Sequence, residues 1–255
     1  MDAIIFGLLL AFFAGLATTV GGLVVFFIKE PKDSYLAFSL AFSTGVMITV
    51  SFIELLPEGI KILGESQGLI IFFAGAAFAF AIDYFLPHSF IAEKVTKKQV
   101  FDSKLMKTGV FVAIGLAIHN FPEGFAVFAS NLHSTGLGIT LAIAIALHNI
   151  PEGIAIAIPV FFATKRKRKA LSLAFFAGMA EPIGALLAML ILLPFLTPTV
   201  IAISLVFVAG IMVYICIDEL LPACYCHCKS ENSHLMTTGF LLGSIVMGAT
   251  LVLLA

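Results

Sequence analysis

His119-Asn120-Phe121-Pro122-Glu123-Gly124 returns 29 residues later as His148-Asn149-Ile150-Pro151-Glu152-Gly153. Both copies lie inside long apolar runs, about 108–130 and 136–162. An ionisable side chain at the centre of a membrane helix costs about 2.5–3.5 kcal/mol to insert, so its presence there marks function. A doubled set of imidazoles, amides and carboxylates in hydrocarbon needs a compensating charge. A divalent metal ion supplies one.

The surrounding chain is suited to lipid. Apolar residues make up 61% of its 255 residues and charged ones 11%, whereas a soluble domain has about 45–50% and about 25%. Eight runs are apolar and long enough to cross a bilayer: about 3–28, 35–60, 68–88, 108–130, 136–162, 170–193, 198–222 and 235–254. A span needs about 20 such residues. Lipid admits only helices and closed barrels, and these runs lack the two-residue alternation of barrel strands. The expected class is an all-α membrane protein with eight transmembrane helices, one domain over residues 1–255. The opening Met1-Asp2-Ala3 has no basic region of the signal-peptide kind, so the first run is expected to be retained. Nucleic acid is not an expected partner.

Basic residues orient the spans. The odd-numbered loops, about 29–34, 89–107, 163–170 and 223–234, hold every Lys and Arg except Lys61. They are expected to be cytoplasmic, with both termini outside. The run Lys165-Arg166-Lys167-Arg168-Lys169 then reads as a topology anchor.

The chain also repeats itself on a larger scale. Ala11-Phe12-Phe13-Ala14-Gly15 in the first run matches Ala174-Phe175-Phe176-Ala177-Gly178 in the sixth, at an offset of 163. Gly45-Val46-Met47-Ile48 and Glu54-Leu55-Leu56-Pro57 in the second match Gly210-Ile211-Met212-Val213 and Glu219-Leu220-Leu221-Pro222 in the seventh, at 165. The fourth and fifth carry the doubled phrase. No convincing match joins the third run to the eighth. Partners cross in opposite directions, which predicts a 3+2+3 inverted-repeat bundle. Secondary transporters are often built so, with the substrate site at the midplane on the repeat interface.

Within each phrase, His and Glu are four apart and Asn and Glu three apart, so all three share one helix face. The short connection 131–138 favours antiparallel contact of the two helices, with both polar faces at one depth. Pro122 and Pro151 should kink their helices and free the carbonyls of Ile118 and Leu147. Gly124 and Gly153 let another helix come close. Glu181 adds a third carboxylate at mid-depth, opposite Thr18 in the repeat alignment and followed by Pro182. Three neighbouring carboxylates repel unless protonated or bridged by cations. Imidazole and carboxylate without thiolate suit Zn²⁺, Fe²⁺, Mn²⁺ or Co²⁺ better than Cu(I). The candidate metal ligands are therefore His119, Asn120, Glu123, His148, Asn149, Glu152 and Glu181.

At these residues the chain resembles the ZIP family of divalent-metal transporters, most closely its bacterial ZupT branch. The resemblance runs nearly end to end, through the two six-residue phrases, Ala180-Glu181, Glu54-Leu55-Leu56-Pro57 and Asp218-Glu219-Leu220-Leu221-Pro222. It implies uptake of zinc and other divalent cations across the plasma membrane, as substrate, with no resident cofactor. It also implies a binuclear site. Glu123, His148 and Glu152 would hold one metal with His119 near. Asn120, Glu123, Asn149, Glu152 and Glu181 would hold the other. Pro182 and the cysteine-rich stretch at 224–228 depart from that branch. Divalent metal ions and the bilayer are the expected partners, with a homodimer compatible. An intramembrane metal-dependent enzyme is the alternative, although neither phrase is the His-Glu-x-x-His of a zincin.

Outside the phrases, Cys224, Cys226, His227 and Cys228 are candidates to catch an emerging ion. His88 is a candidate for the exit and His133 for the outer approach. Glu54 and Glu58, and Asp218 and Glu219, read as mouth residues on opposite sides or as helix-end charges.

Overall fold

The computed structural model describes residues 3–30, 32–85, 97–192, 197–228 and 233–254. Among these residues all regular structure is helical. Eight helices are long and apolar enough to cross a membrane: α1 (Ala3–Phe27), α2 (Asp33–Leu63), α3 (Glu65–Tyr84), α4 (Leu105–His133), α5 (Thr135–Thr164), α6 (Lys167–Leu190), α7 (Pro198–His227) and α8 (His234–Leu253). α2, α4, α5 and α7 have 31, 29, 30 and 30 described residues.

Several helices run past the apolar runs. The helix containing α4 starts at Lys97, inside the stretch 89–107 expected as loop. α7 continues through Cys224 to His227, beyond the expected end at 222. Hydropathy marks only the buried length of a span. A helix carries on through the headgroup layer wherever no Gly or Pro stops it.

The turns follow local chemistry. Gly64 closes α2 with φ of 80°, and its N–H returns to the Ile60 carbonyl at 2.8 Å. That left-handed conformation is one glycine takes without steric cost. α4 stays helical through Pro122, and α5 through Pro151 and Pro159. α6 breaks instead, at Met179. Pro182 clashes with the carbonyl four residues back, that of Gly178, and so places the break one turn before itself.

The helices form two groups. α1, α4, α5 and α6 pack on one another; α2 packs on α7 and α8, and α3 on α7. Across the seam the chief contacts are α2 with α5 and α4 with α7. α4 and α5 are 61% and 67% buried over their apolar windows, against 22% for α3 and 17% for α8, so the phrases sit at the centre and α3 and α8 on the periphery.

Close helix approach rests on glycines, and the contacts come in matched sets. A methyl group at Gly15 would lie 2.3 Å from the Gly178 carbonyl oxygen, and one at Gly178 would lie 2.2 Å from that of Gly15. α1 and α6 thus cross backbone to backbone. Gly21 meets the Ile150 carbonyl as Gly184 meets that of Phe121. Gly75 of α3 meets the Phe207 carbonyl as Gly243 of α8 meets that of Phe42. The last set aligns α3 with α8 at an offset of 168, the correspondence that sequence comparison alone did not reveal. α2 and α7 each contain a π-helical turn, Ser51–Leu55 and Cys216–Leu220, at the same register and just before Leu-Pro. An inserted residue of this kind re-aims the side chains around it. Glu54 and Glu219 lie in these turns.

Candidate metal centre

α4, α5 and α6 bring the seven candidate ligands together. His119, Asn120, Asn149 and Glu181 are fully buried, and Glu123, His148 and Glu152 are 3%, 3% and 1% exposed. The glycine of each phrase sets the depth. Gly124 lies against the Glu181 backbone and Gly153 against that of Thr18, each carbonyl oxygen 1.9 Å from where a methyl group would stand. α6 and α1 therefore clamp the two phrases from either side.

The imidazoles and carboxylates face one another across the α4–α5 contact. His148 Nε2 is 2.9 Å from Glu123 Oε1. His119 Nε2 lies 3.1 Å from Glu123 Oε1 and 3.3 Å from Glu152 Oε1. These two close approaches lack hydrogen-bond alignment. One ligand atom each from His119, His148 and Glu152 falls within 4.8 Å of the others, so a single ion can reach all three. Asn149 Nδ2 donates to the Ala14 carbonyl at 3.0 Å and to Glu181 Oε1, tying α5 to α1 and α6.

Unsatisfied atoms are concentrated here. Both side-chain polar atoms of Asn120, both oxygens of Glu152, Glu123 Oε2, Glu181 Oε2 and Asn149 Oδ1 are buried without a hydrogen-bond partner. An unpaired buried polar atom costs about 1–3 kcal/mol, more if charged. So many at one place could serve a cation, and the oxygen and imidazole mix fits borderline and hard divalent ions.

A cavity of about 180 Å³ opens onto the site, lined by Glu54, Glu58, Glu123, Ser130, His148 and Leu205 among others. Metal can approach His148 and Glu123 from the end of the bundle that holds Glu58 and Ser130. His133 is exposed at the same end, after Ser130 on α4.

The chain belongs to the ZIP family. Residues 91–250 match the family described as ZIP Zinc transporter. The zinc transporter ZupT of Lysinibacillus sphaericus is 46% identical, over 98% of this chain and 97% of that protein. That of Oceanobacillus iheyensis is 44% identical over the whole of both chains. That of Akkermansia muciniphila is 40% identical over 98% of each. In this ZIP protein the six polar residues of the two phrases and Glu181 are all buried.

Among the described residues the cysteine-rich stretch forms no group of three ligand atoms like that of His119, His148 and Glu152. Cys224 is buried and its thiol donates to the Ala37 carbonyl at 3.0 Å. His227 turns to Asp33, Nδ1 to Oδ1 3.1 Å. Cys226 is exposed and Cys228 half-buried. These residues lie on the last turns of α7, where residues two apart point in different directions, and they tie α7 to α2. His88 lies outside the described residues.

A second polar cluster joins Asp218 and Glu219, which the sequence offered as mouth residues or helix-end charges, to Asp83, which it did not single out. Asp83, Asp218 and Glu219 bring carboxylate oxygens within 4.8 Å of one another at the opposite end of the bundle. Lys107 reaches Asp83 at 2.7 Å, and Thr108 donates to Glu219 at 2.7 Å. Asp83 and Lys107 each fall at the end of an apolar run, where a charge reads as an ordinary anchor.

Proposed function

We propose that this ZIP protein carries divalent metal cations, zinc foremost and Fe²⁺, Mn²⁺, Co²⁺ and Cd²⁺ besides, across the plasma membrane into the cytoplasm. The observation that carries this reading is the buried layer of seven ligands at the foot of a cavity. Ions would enter past Glu54 and Glu58, lose water, and bind between α4, α5 and α6. Glu123 and Glu152 would bridge two metals, one held with His148 and His119, the other with Asn120, Asn149 and Glu181.

The mature topology is read as both termini outside, with the Lys107 end cytoplasmic, from the distribution of Lys and Arg. The matched contacts of Gly15 with Gly178 and of Gly75 with Gly243 support an inverted repeat, 3+2+3. In that arrangement α1, α4, α5 and α6 would shift as a body against α2, α3, α7 and α8, turning the ligands from one side to the other. The inside-negative potential assists: about 2.3 kcal/mol per charge per 100 mV, doubled for a dication.

Reconstituted vesicles test this directly. Glu152→Ala should insert normally and lower zinc uptake to the level of protein-free vesicles. Uptake by Glu152→Ala at near-parent rate would remove the site from the pathway. Peptide cleavage by the parent without uptake would replace the reading with the metalloenzyme.

A further inference from the structure

We propose that Lys107 is a tethered counter-cation that latches the cytoplasmic mouth, and so sets how often the metal ligands face inward. This rests on the transport reading and adds a positioning residue to it. Lys107 Nζ lies 2.7 Å from Asp83 Oδ1 and 3.8 Å from Glu219 Oε1. The next residue, Thr108, donates to Glu219 Oε2 at 2.7 Å. Asp83 and Glu219 are 8% and 6% exposed. Lys107 and Thr108 belong to α4, which carries ligands; Asp83 and Glu219 belong to α3 and α7 in the other group. Every one of these bonds crosses the seam.

The repeat shows that the latch is one-sided. Glu219 in the π-helical turn of α7 occupies the register of Glu54 in that of α2. Glu54 lines the open cavity above Glu123 and His148, and its Oε2 has no hydrogen-bond partner. Glu219 is gripped by Lys107 and Thr108. At the outer mouth the positions matching Lys107, Thr108 and Asp83 are Gly136, Leu137 and Leu251. None of these can form an ion pair. One mouth is therefore open to the ligands, and its lysine, Lys61, pairs with Glu58 on the same helix and so ties nothing across the seam. The other carries Glu219 with a lysine, a threonine and a second acid closing over it.

Turning the ligands inward requires α4 to leave α3 and α7. That step separates a largely buried lysine–carboxylate set, which is strongly disfavoured when one partner is left uncompensated. The latch holds the chain outward-facing and raises the fraction of molecules able to take metal from outside.

The test uses the full chain in vesicles, in a background where Cys226→Ser and Cys228→Ser remove the two less buried thiols. Ser43 is buried, and its hydroxyl donates to the Pro151 carbonyl at 2.8 Å across the α2–α5 seam. A small membrane-impermeant thiol reagent applied from the cytoplasmic side reports opening there through Ser43→Cys. Lys107→Met and Asp83→Asn should each speed that labelling by about tenfold and raise the apparent KM for external zinc in parallel, because the binding-competent fraction falls. Lys107→Arg should restore the parent rate, and combining Lys107→Met with Asp83→Asn should add little. Unchanged labelling in Lys107→Met, or an equal change in Lys107→Arg, overturns the latch. Thr108→Val gives the same reading through a smaller change if Lys107→Met does not fold. Labelling needs no metal movement, so a chain that fails to transport still reports on the latch.

Discussion

Glu181 takes one of the two hydrogen bonds that Asn149 Nδ2 offers and leaves its other oxygen without a partner among the described residues. Its counterpart in the repeat is Thr18, whose hydroxyl is also buried and unpartnered. Symmetry is thus broken by a charge on one side of the α1–α6 crossing. If Glu181 belongs to the second metal position alone, Glu181→Gln should lower the bound zinc from two equivalents to one in calorimetry, with the remaining affinity near the parent's. Retention of two equivalents would move Glu181 out of the shell. At this scale the sequence was unusually open. A six-residue phrase of costly polar groups stated twice in apolar surroundings leaves little room for another purpose. Lys107 and Asp83 were hidden because a charge near the end of a span has an ordinary explanation. Only their contact with Glu219 gives them a second one. In the cysteine stretch nearness in sequence suggested a shared ligand set, whereas the helix gives Cys224 and His227 separate contacts on α2, with the Ala37 carbonyl and Asp33.

Helix crossings depend on small residues at fixed registers. Gly15 and Gly178 meet reciprocally, whereas Gly248 has nothing within 4 Å. Gly15→Ala should therefore force α1 off α6 and destabilise the protein by about 1–3 kcal/mol, the range of overpacking in a close-packed interior. Gly248→Ala should change nothing measurable, and thermal unfolding in detergent compares the two. Equal stability of both variants would mean that α1 and α6 do not cross so closely. Span number and class were readable because lipid demands long apolar helices. The α3–α8 correspondence was not, since a peripheral helix facing acyl chains accepts almost any apolar residue. What the two share is confined to the contact positions Gly75 and Gly243 and the phenylalanines near them.

Taken whole, the molecule sets its most buried helices inside a fence of its two most exposed ones. α4 and α5 are 61% and 67% buried over their apolar windows, α3 and α8 22% and 17%. The 20 described apolar residues of α3 and of α8, at about 1.5 Å each, cover about 30 Å, close to the hydrocarbon thickness of an ordinary bilayer. Acyl chains meet these two helices first. Mismatch costs fractions of a kcal/mol per ångström, and here it would fall on the stationary group. Zinc flux should therefore peak in vesicles whose lipids match that 30 Å and decline in both thinner and thicker ones. A flux indifferent to acyl length would show that the fence does not sense the membrane. The flanking pair would act as a gauge, fixing the level of its own group in the bilayer while the buried α4 and α5 travel without dragging lipid along.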